Sequence, residues 1–182
     1  MVPVDGFGMN CDVCLGNLHI CGCLGGPGVS TPQTGPFLWT TSHRADTAAP
    51  IAAVWRALQA LRTGDNMNPA SDRVEPHGPF AVGSLLAVTP RGQDPQHSTI
   101  TELDPGSRYA EQTLFGGLLL TFRYELSPRL AGGTTVTHTL EITGPFCEHL
   151  GPKIGSQISA NFPDILAELL AHATYIDHRD QE

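Results

Sequence analysis

FCEHLGPKIGSQISANFPDILAELLAHAT, residues 146–174, is the stretch on which the fold turns. Large apolar residues recur at Leu150, Ile154 and Ile158, and again at Phe162, Ile165, Leu166, Leu169 and Leu170. Steps of three and four put them on one face of a helix. Lys153, Ser156, Gln157, Asp164 and Glu168 take the other face. As a single helix the segment would run about 40 Å, at roughly 1.5 Å per residue. Pro163 stands inside the pattern, removes the bond to the Ser159 carbonyl and predicts a kink. Between Trp39 and Ile142 the chain reads mainly as strands, so the apolar stripe is expected to bury itself against a sheet.

Upstream of this segment the strand pattern is clearest at Thr134–Ile142. Val136, His138, Leu140 and Ile142 share one face, and Thr135, Thr137, Thr139 and Glu141 share the other. In 118–126 the set Leu118, Leu120, Phe122, Tyr124 and Leu126 should point inward, with Arg123 and Glu125 on a solvated outer face. A Gly116-Gly117 turn joins that strand to 107–115 in a hairpin. The parity of 107–115 is balanced. The set Tyr109, Glu111, Thr113 and Phe115 is favoured as the inner one because it is more aromatic, although it would bury Glu111. Strands are also expected at 37–45, 72–75, 80–89 (bent at Gly83) and 97–103, with a turn at Asp104-Pro105-Gly106. A short helix opens at Pro50, capped by Asp46 or Thr47, with an apolar face of Ile51, Val54, Trp55, Leu58 and Leu61. Tight turns between these strands call for an antiparallel meander.

The composition sets outer limits. Forty per cent of the 182 residues are apolar, enough for one core, while 20 Gly and 15 Pro imply many turns. The net charge of −8 argues against nucleic acid or an anionic membrane as partner. No apolar run reaches the roughly 20 residues that a membrane-spanning helix needs. No Lys or Arg precedes Arg44, so no secretory leader is expected. The reading is a cytoplasmic protein with reduced cysteines. It has a Cys-, Gly- and Pro-rich extension at 1–36, a domain at 37–175 and a polar tail at 176–182.

The extension carries Cys11, Cys14, Cys21 and Cys23, with His19 between the pairs. Four thiolates can hold zinc tetrahedrally, and soft ligands also suit copper(I) or an iron–sulfur centre. The second pair is tighter than a zinc knuckle and the loop between pairs is short. The adopted expectation is therefore no cofactor, with zinc at these cysteines as the alternative. Cys147, at the start of the last helix, is read as packing, because His149 two residues on does not face it.

Several segments resemble the START-like (SRPBCC) superfamily. They are Ala49-Pro50-Ile51-Ala52-Ala53-Val54-Trp55, Ile100-Thr101-Glu102-Leu103-Asp104-Pro105, Gly132-Gly133-Thr134-Thr135-Val136-Thr137-His138, Gly144-Pro145-Phe146 and Phe162-Pro163-Asp164-Ile165-Leu166. The resemblance spans residues 37–174, is nearest to the polyketide cyclase/dehydrase subgroup, and marks a fold rather than a chemistry. It implies an α+β helix-grip fold, a curved antiparallel sheet wrapped around a long C-terminal helix and enclosing a pocket for an apolar ligand.

In such a pocket the expected ligand-facing residues are Tyr109, Phe115, Leu118, Leu120, Phe122, Tyr124, Val136, His138, Leu140, Ile154, Ile158 and Phe162. His138 can move protons near neutral pH and Tyr124 can donate to a ligand carbonyl, so these two are the catalytic candidates. The alternative for His138 is a core histidine with its hydrogen bonds satisfied. Three functions follow: binding of a lipid-like or aromatic molecule, a cyclase or dehydratase acting in the same pocket, and a protein-interaction module with a metal-bound arm. The shortage of inward polar groups favours binding.

Overall fold

A computed structural model describes residues 38–65, 72–90 and 92–181 of the chain. The first strand, β1 (Leu38–Thr47), leads into helix α1 (Ile51–Arg62). Six strands follow: β2 (Arg73–His77), β3 (Leu85–Thr89), β4 (Gln96–Asp104), β5 (Arg108–Phe115), β6 (Leu118–Pro128) and β7 (Thr134–Thr143). Helices α2 (Cys147–Ser159) and α3 (Phe162–Arg179) complete the chain. The sheet is antiparallel throughout, in the order β1-β7-β6-β5-β4-β3-β2. From β2 to β7 it is the expected meander, and β1 closes on β7 from the far end of the chain. A register shift between Ile100 and Glu102 marks a bulge in β4, which bends the strand and increases its twist.

The turns follow their residues. Gly116 (φ 57°) and Gly117 (φ 81°) both sit in the left-handed region, as a two-residue hairpin of matching twist requires. Gly83 (φ 90°) lies in a turn ahead of β3, and its N–H donates to the Ile100 carbonyl at 2.8 Å. The start of α1 differs from expectation. Pro50 is the N-cap and makes no side-chain bond. Thr47 accepts the Ala49 N–H one turn early, and Asp46 accepts from Thr135. Extended backbone at Pro50 moves the helix start beyond the reach of either side chain.

The single kinked helix becomes two helices that meet at Ala160 and Asn161. Pro163 is in the first turn of α3, where its missing N–H costs no intrahelical bond. α3 continues through Tyr175 to Arg179, so most of the expected polar tail is helix. α2 buries Cys147, Gly151 and Gly155 rather than its large apolar stripe. A Cβ at Gly155 would fall 2.1 Å from the Trp39 ring, so only glycine lets the helix come this close to β1. That close approach rolls α2 onto β1 and β7. Ile154 and Ile158 are left half-buried and Leu150 is 39% exposed. Cys147 packs as expected, its thiol donating to the Ile142 carbonyl at 2.9 Å.

The core has two parts. One, under α1 and α3, includes Val54, Leu58, Ile100, Tyr109, Tyr124, Leu166 and Leu169. The other, under α2, includes Leu118, Leu120, Leu140, Ile142, Cys147 and Phe162. On the outer face Arg123 bridges Glu102 and Glu141 at 2.9 Å each, an ion-paired network where a plain solvated surface was expected.

Candidate functional site

Pairing registers place Tyr109, Tyr124, His138 and His43 side by side in one row across β5, β6, β7 and β1. Directly opposed residues share a face, so this row brings four hydrogen-bonding rings onto the concave side. His138 is sandwiched between the rings of Tyr124 (centroids 4.0 Å apart) and Phe162 (3.9 Å), both close to parallel with it. Phe80 stacks on Tyr109 at 5.8 Å from the loop ahead of β3.

The row is completed from α1. Arg62 Nη2 donates to the Tyr124 hydroxyl at 3.2 Å and lies 3.5 Å from Glu111 Oε1. The Tyr109 hydroxyl donates to the other oxygen of Glu111. The guanidinium also stands over the Tyr109 and Tyr124 rings, at 5.8 Å and 5.5 Å, within cation–π reach. The Arg62 and Glu111 side chains are 14% and 4% exposed. The result is a buried polar layer, beside which Ser98 and Thr113 form a separate hydroxyl pair at 2.6 Å.

Three buried nitrogens of this layer, Arg62 Nε and both ring nitrogens of His138, have no hydrogen-bond partner among the described residues. Buried polar atoms are nearly always paired, and an orphan costs about 1–3 kcal/mol. The described residues therefore offer neither ring nitrogen of His138 a hydrogen bond. Burial drives the His138 pKa down to about 3, helped by the charge of Arg62 and by His43. The unliganded ring is neutral at pH 7, with one N–H to donate and one nitrogen to accept. Proton transfer at neutral pH thus depends on what a ligand brings to the ring. Burial pushes Tyr124 up to about 12 despite the pull of Arg62, so it remains a hydroxyl. Burial opposes the charge of Arg62, but Glu111, the two tyrosines and Asp72 outweigh it and hold the pKa above the ordinary arginine value.

His138→Leu is expected to raise stability by about 1–2 kcal/mol at pH 7, because two orphaned nitrogens give way to methyl groups. Acid should widen the gap. The folded pKa of His138 lies below the unfolded value, so the unfolded chain takes up the proton first and wild type loses stability from pH 6.5 down to about 3. Between pH 7 and pH 5 this amounts to about 2 kcal/mol. Urea midpoints at the two pH values check it. Equal acid sensitivity in wild type and variant would count against the orphaned ring.

The expected ligand-facing residues divide into three groups. Tyr109, Leu118, Leu120, Tyr124, Val136, His138, Leu140 and Phe162 are buried on the inner side, and the favoured parity of β5 holds. Phe122, Ile154 and Ile158 face inward but only half-buried, beside the second core cluster. Phe115 is corrected: it is 43% exposed, at the last position of β5. Arg62, Glu111 and His43 were missed. Arg62 had a signal, since it falls one turn beyond Leu58 and two beyond Val54 on the apolar face of α1. A surface cleft of about 510 Å³ between α1 and α3, lined by Ala60, Gly64, His172 and Tyr175 among others, is separate from this layer.

Cys11, Cys14, Cys21, Cys23 and His19 lie outside the described residues. Among the described residues no group of three or more His, Cys, Asp or Glu is placed to hold a metal ion. No helix among them is long and apolar enough to cross a membrane.

The seven-stranded curved antiparallel sheet around a bent C-terminal helical segment is a helix-grip fold. Solved structures share it. Norcoclaurine synthase of Thalictrum flavum, as a point mutant with a transition-state analogue, matches with a TM-score of 0.60 and 14% identity over 82% of this chain and 100% of that one. A second structure of that synthase holds dopamine and hydroxybenzaldehyde; it matches with a TM-score of 0.58 and 19% identity, over 82% and 95%. The di-domain ARO/CYC protein BexL of the BE-7585A biosynthetic pathway matches with a TM-score of 0.60 and 17% identity, over 75% of this chain and 50% of that one. At these identities the likeness is one of fold. No protein-family model and no curated protein matches the sequence.

Proposed function

We propose that the chain binds a hydrophobic small molecule, aromatic or lipid-like and bearing oxygen, between its helices and the concave face of its sheet. One observation carries this reading: three orphaned nitrogens, Arg62 Nε and the two of His138, are buried among aromatic rings. A ligand with a flat apolar body and a polar handle would satisfy atoms that the protein leaves unpaired. The small aromatic compounds held by the norcoclaurine synthase structure are consistent with such a ligand on this fold.

The site is closed by its own side chains. Phe162 covers one face of His138 and Tyr124 the other. Phe162 opens α3 directly after the break at Ala160 and Asn161, so a swing there would free the ring face for a ligand. The half-buried Phe122, Ile154 and Ile158 would line the way in.

A second reading, a cyclase or dehydratase, is favoured by the direct stacking of Tyr124 on His138. On a β-hydroxy ketone Tyr124 would donate a hydrogen bond to the carbonyl oxygen while His138 takes a proton from the carbon between the two groups; the resulting enolate re-forms the carbonyl as it expels the β-hydroxyl, which takes the proton back from His138 and leaves as water.

Native mass spectrometry of reduced protein, followed by calorimetric titration with naphthols and fatty acids, tests the binding reading. Micromolar binding by wild type is expected, weakened at least about tenfold in His138→Leu, which corresponds to about 1.4 kcal/mol. That variant is expected to be more stable than wild type, so lost affinity cannot be put down to unfolding. Absence of binding by wild type, or unchanged affinity in the variant, would remove the reading.

A further inference from the structure

The geometry points to an uncharged ligand: a flat aromatic molecule with both a carbonyl oxygen and a hydroxyl, selected over its carboxylate analogue, with Glu111 as the residue that sets this choice. The inference rests on the binding reading above and adds the charge state of what is bound.

Arg62 is the cation that touches the row, and Glu111 stands 3.5 Å from it at 4% exposure. Tyr109 donates to the far oxygen of Glu111, which fixes the carboxylate in that position. Asp72 adds a second negative charge that acts on both Arg62 and Tyr124. The positive charge is therefore already matched before any ligand arrives. A ligand carboxylate would lose its hydration, meet a neutralised cation and add to two nearby negative groups, and an unpaired buried charge is costly.

The count of unused hydrogen-bonding capacity gives the complement. Arg62 Nε–H is a spare donor. His138, neutral between two aromatic rings, has one spare N–H donor and one bare nitrogen as acceptor. A carbonyl oxygen accepts from either donor. A hydroxyl donates to the bare nitrogen of His138 whether its partner group is a carbonyl or a carboxylate, so the charge is what separates the two ligands. A ligand with one carbonyl and one hydroxyl on a flat ring system therefore serves one of the two donors and the bare nitrogen, and carries no charge.

Acetylnaphthol and the matching hydroxynaphthoate form a suitable probe pair, since they differ only in a methyl replaced by a carboxylate oxygen. Titrated into wild type at pH 7, acetylnaphthol is expected to bind at least about tenfold more tightly. In Glu111→Gln the charge of Arg62 is uncovered while an acceptor for Tyr109 remains. The preference is then expected to shrink at least about tenfold or to reverse. Equal affinities in wild type, or a preference for hydroxynaphthoate, would overturn the inference and leave the binding reading standing. No binding of either probe by a protein that binds fatty acids would overturn the inference alone, and no binding of the probes, naphthols or fatty acids would overturn the binding reading with it. A folded Glu111→Gln protein with an unchanged ratio would refute the role given to Glu111. If that variant does not fold, the wild-type ratio still decides the charge preference.

Discussion

Arg62→Met is expected to destabilise the fold by about 3–5 kcal/mol, the cost of leaving one member of a buried ion pair without the other. Glu111 is 4% exposed, and without Arg62 its hydrogen-bonding support is the Tyr109 hydroxyl. The Tyr124 hydroxyl loses its donor, and the Tyr109 and Tyr124 rings lose the cation above them. The double variant Arg62→Met with Glu111→Leu should recover most of the loss, to within about 1–2 kcal/mol of wild type, because no charge is then stranded. Urea unfolding of wild type, both single variants and the double variant closes the cycle. A single Arg62→Met variant within about 1 kcal/mol of wild type would show that the pair is solvated in practice. The recovery also separates two roles. A pair kept for stability would not be replaceable by apolar residues, whereas a pair kept for a ligand would be, with loss of binding.

Gly133→Ala should cost on the order of 3–4 kcal/mol, from left-handed strain and a backbone collision together. Gly133 has φ 85°, and a Cβ there would sit 2.1 Å from the Thr47 carbonyl oxygen and 2.9 Å from the Ala48 Cα. These are main-chain atoms at the corner between β1 and α1, so no side chain can swing aside. The next residue, Thr134, donates to the Ala49 carbonyl at 2.8 Å, which ties β7 to the same corner. Gly132 supplies the control. It has nearly the same φ, 86°, with nothing within 4 Å of an added Cβ. Gly132→Ala should therefore show the conformational cost alone, about 1–2 kcal/mol. Equal losses at the two positions, read from thermal or urea unfolding, would show that the corner yields.

The sheet was legible in the sequence because its information is local. Period-two alternation named the inner faces of β6 and β7, and Gly116-Gly117 named the hairpin between them. The last 30 or so residues announced themselves as helical by their three–four spacing. Where local rules met a contest between elements, they fell short. The stripe through Leu150, Ile154 and Ile158 predicted one buried face, but the glycines at 151 and 155 fit the Trp39 ring more closely and turned α2 onto them. Spacing cannot show that, since it depends on a side chain more than a hundred positions away in the chain.

The candidate site divides along the same line. By itself the sequence determined that Tyr124 and His138 face inward, because each lies on a strand whose parity is plain. It also left Glu111 on the inner face of β5 with no stated partner. Only the tertiary structure decided that Arg62 reaches in from α1 to meet Glu111, and that Tyr109, Tyr124, His138 and His43 form one row. It alone showed that both nitrogens of His138 go unpaired between two rings. The physical reason is that pairing and its absence belong to neighbours across elements. A charge on a helix and a carboxylate on a strand carry no mark in sequence of the register that brings them together.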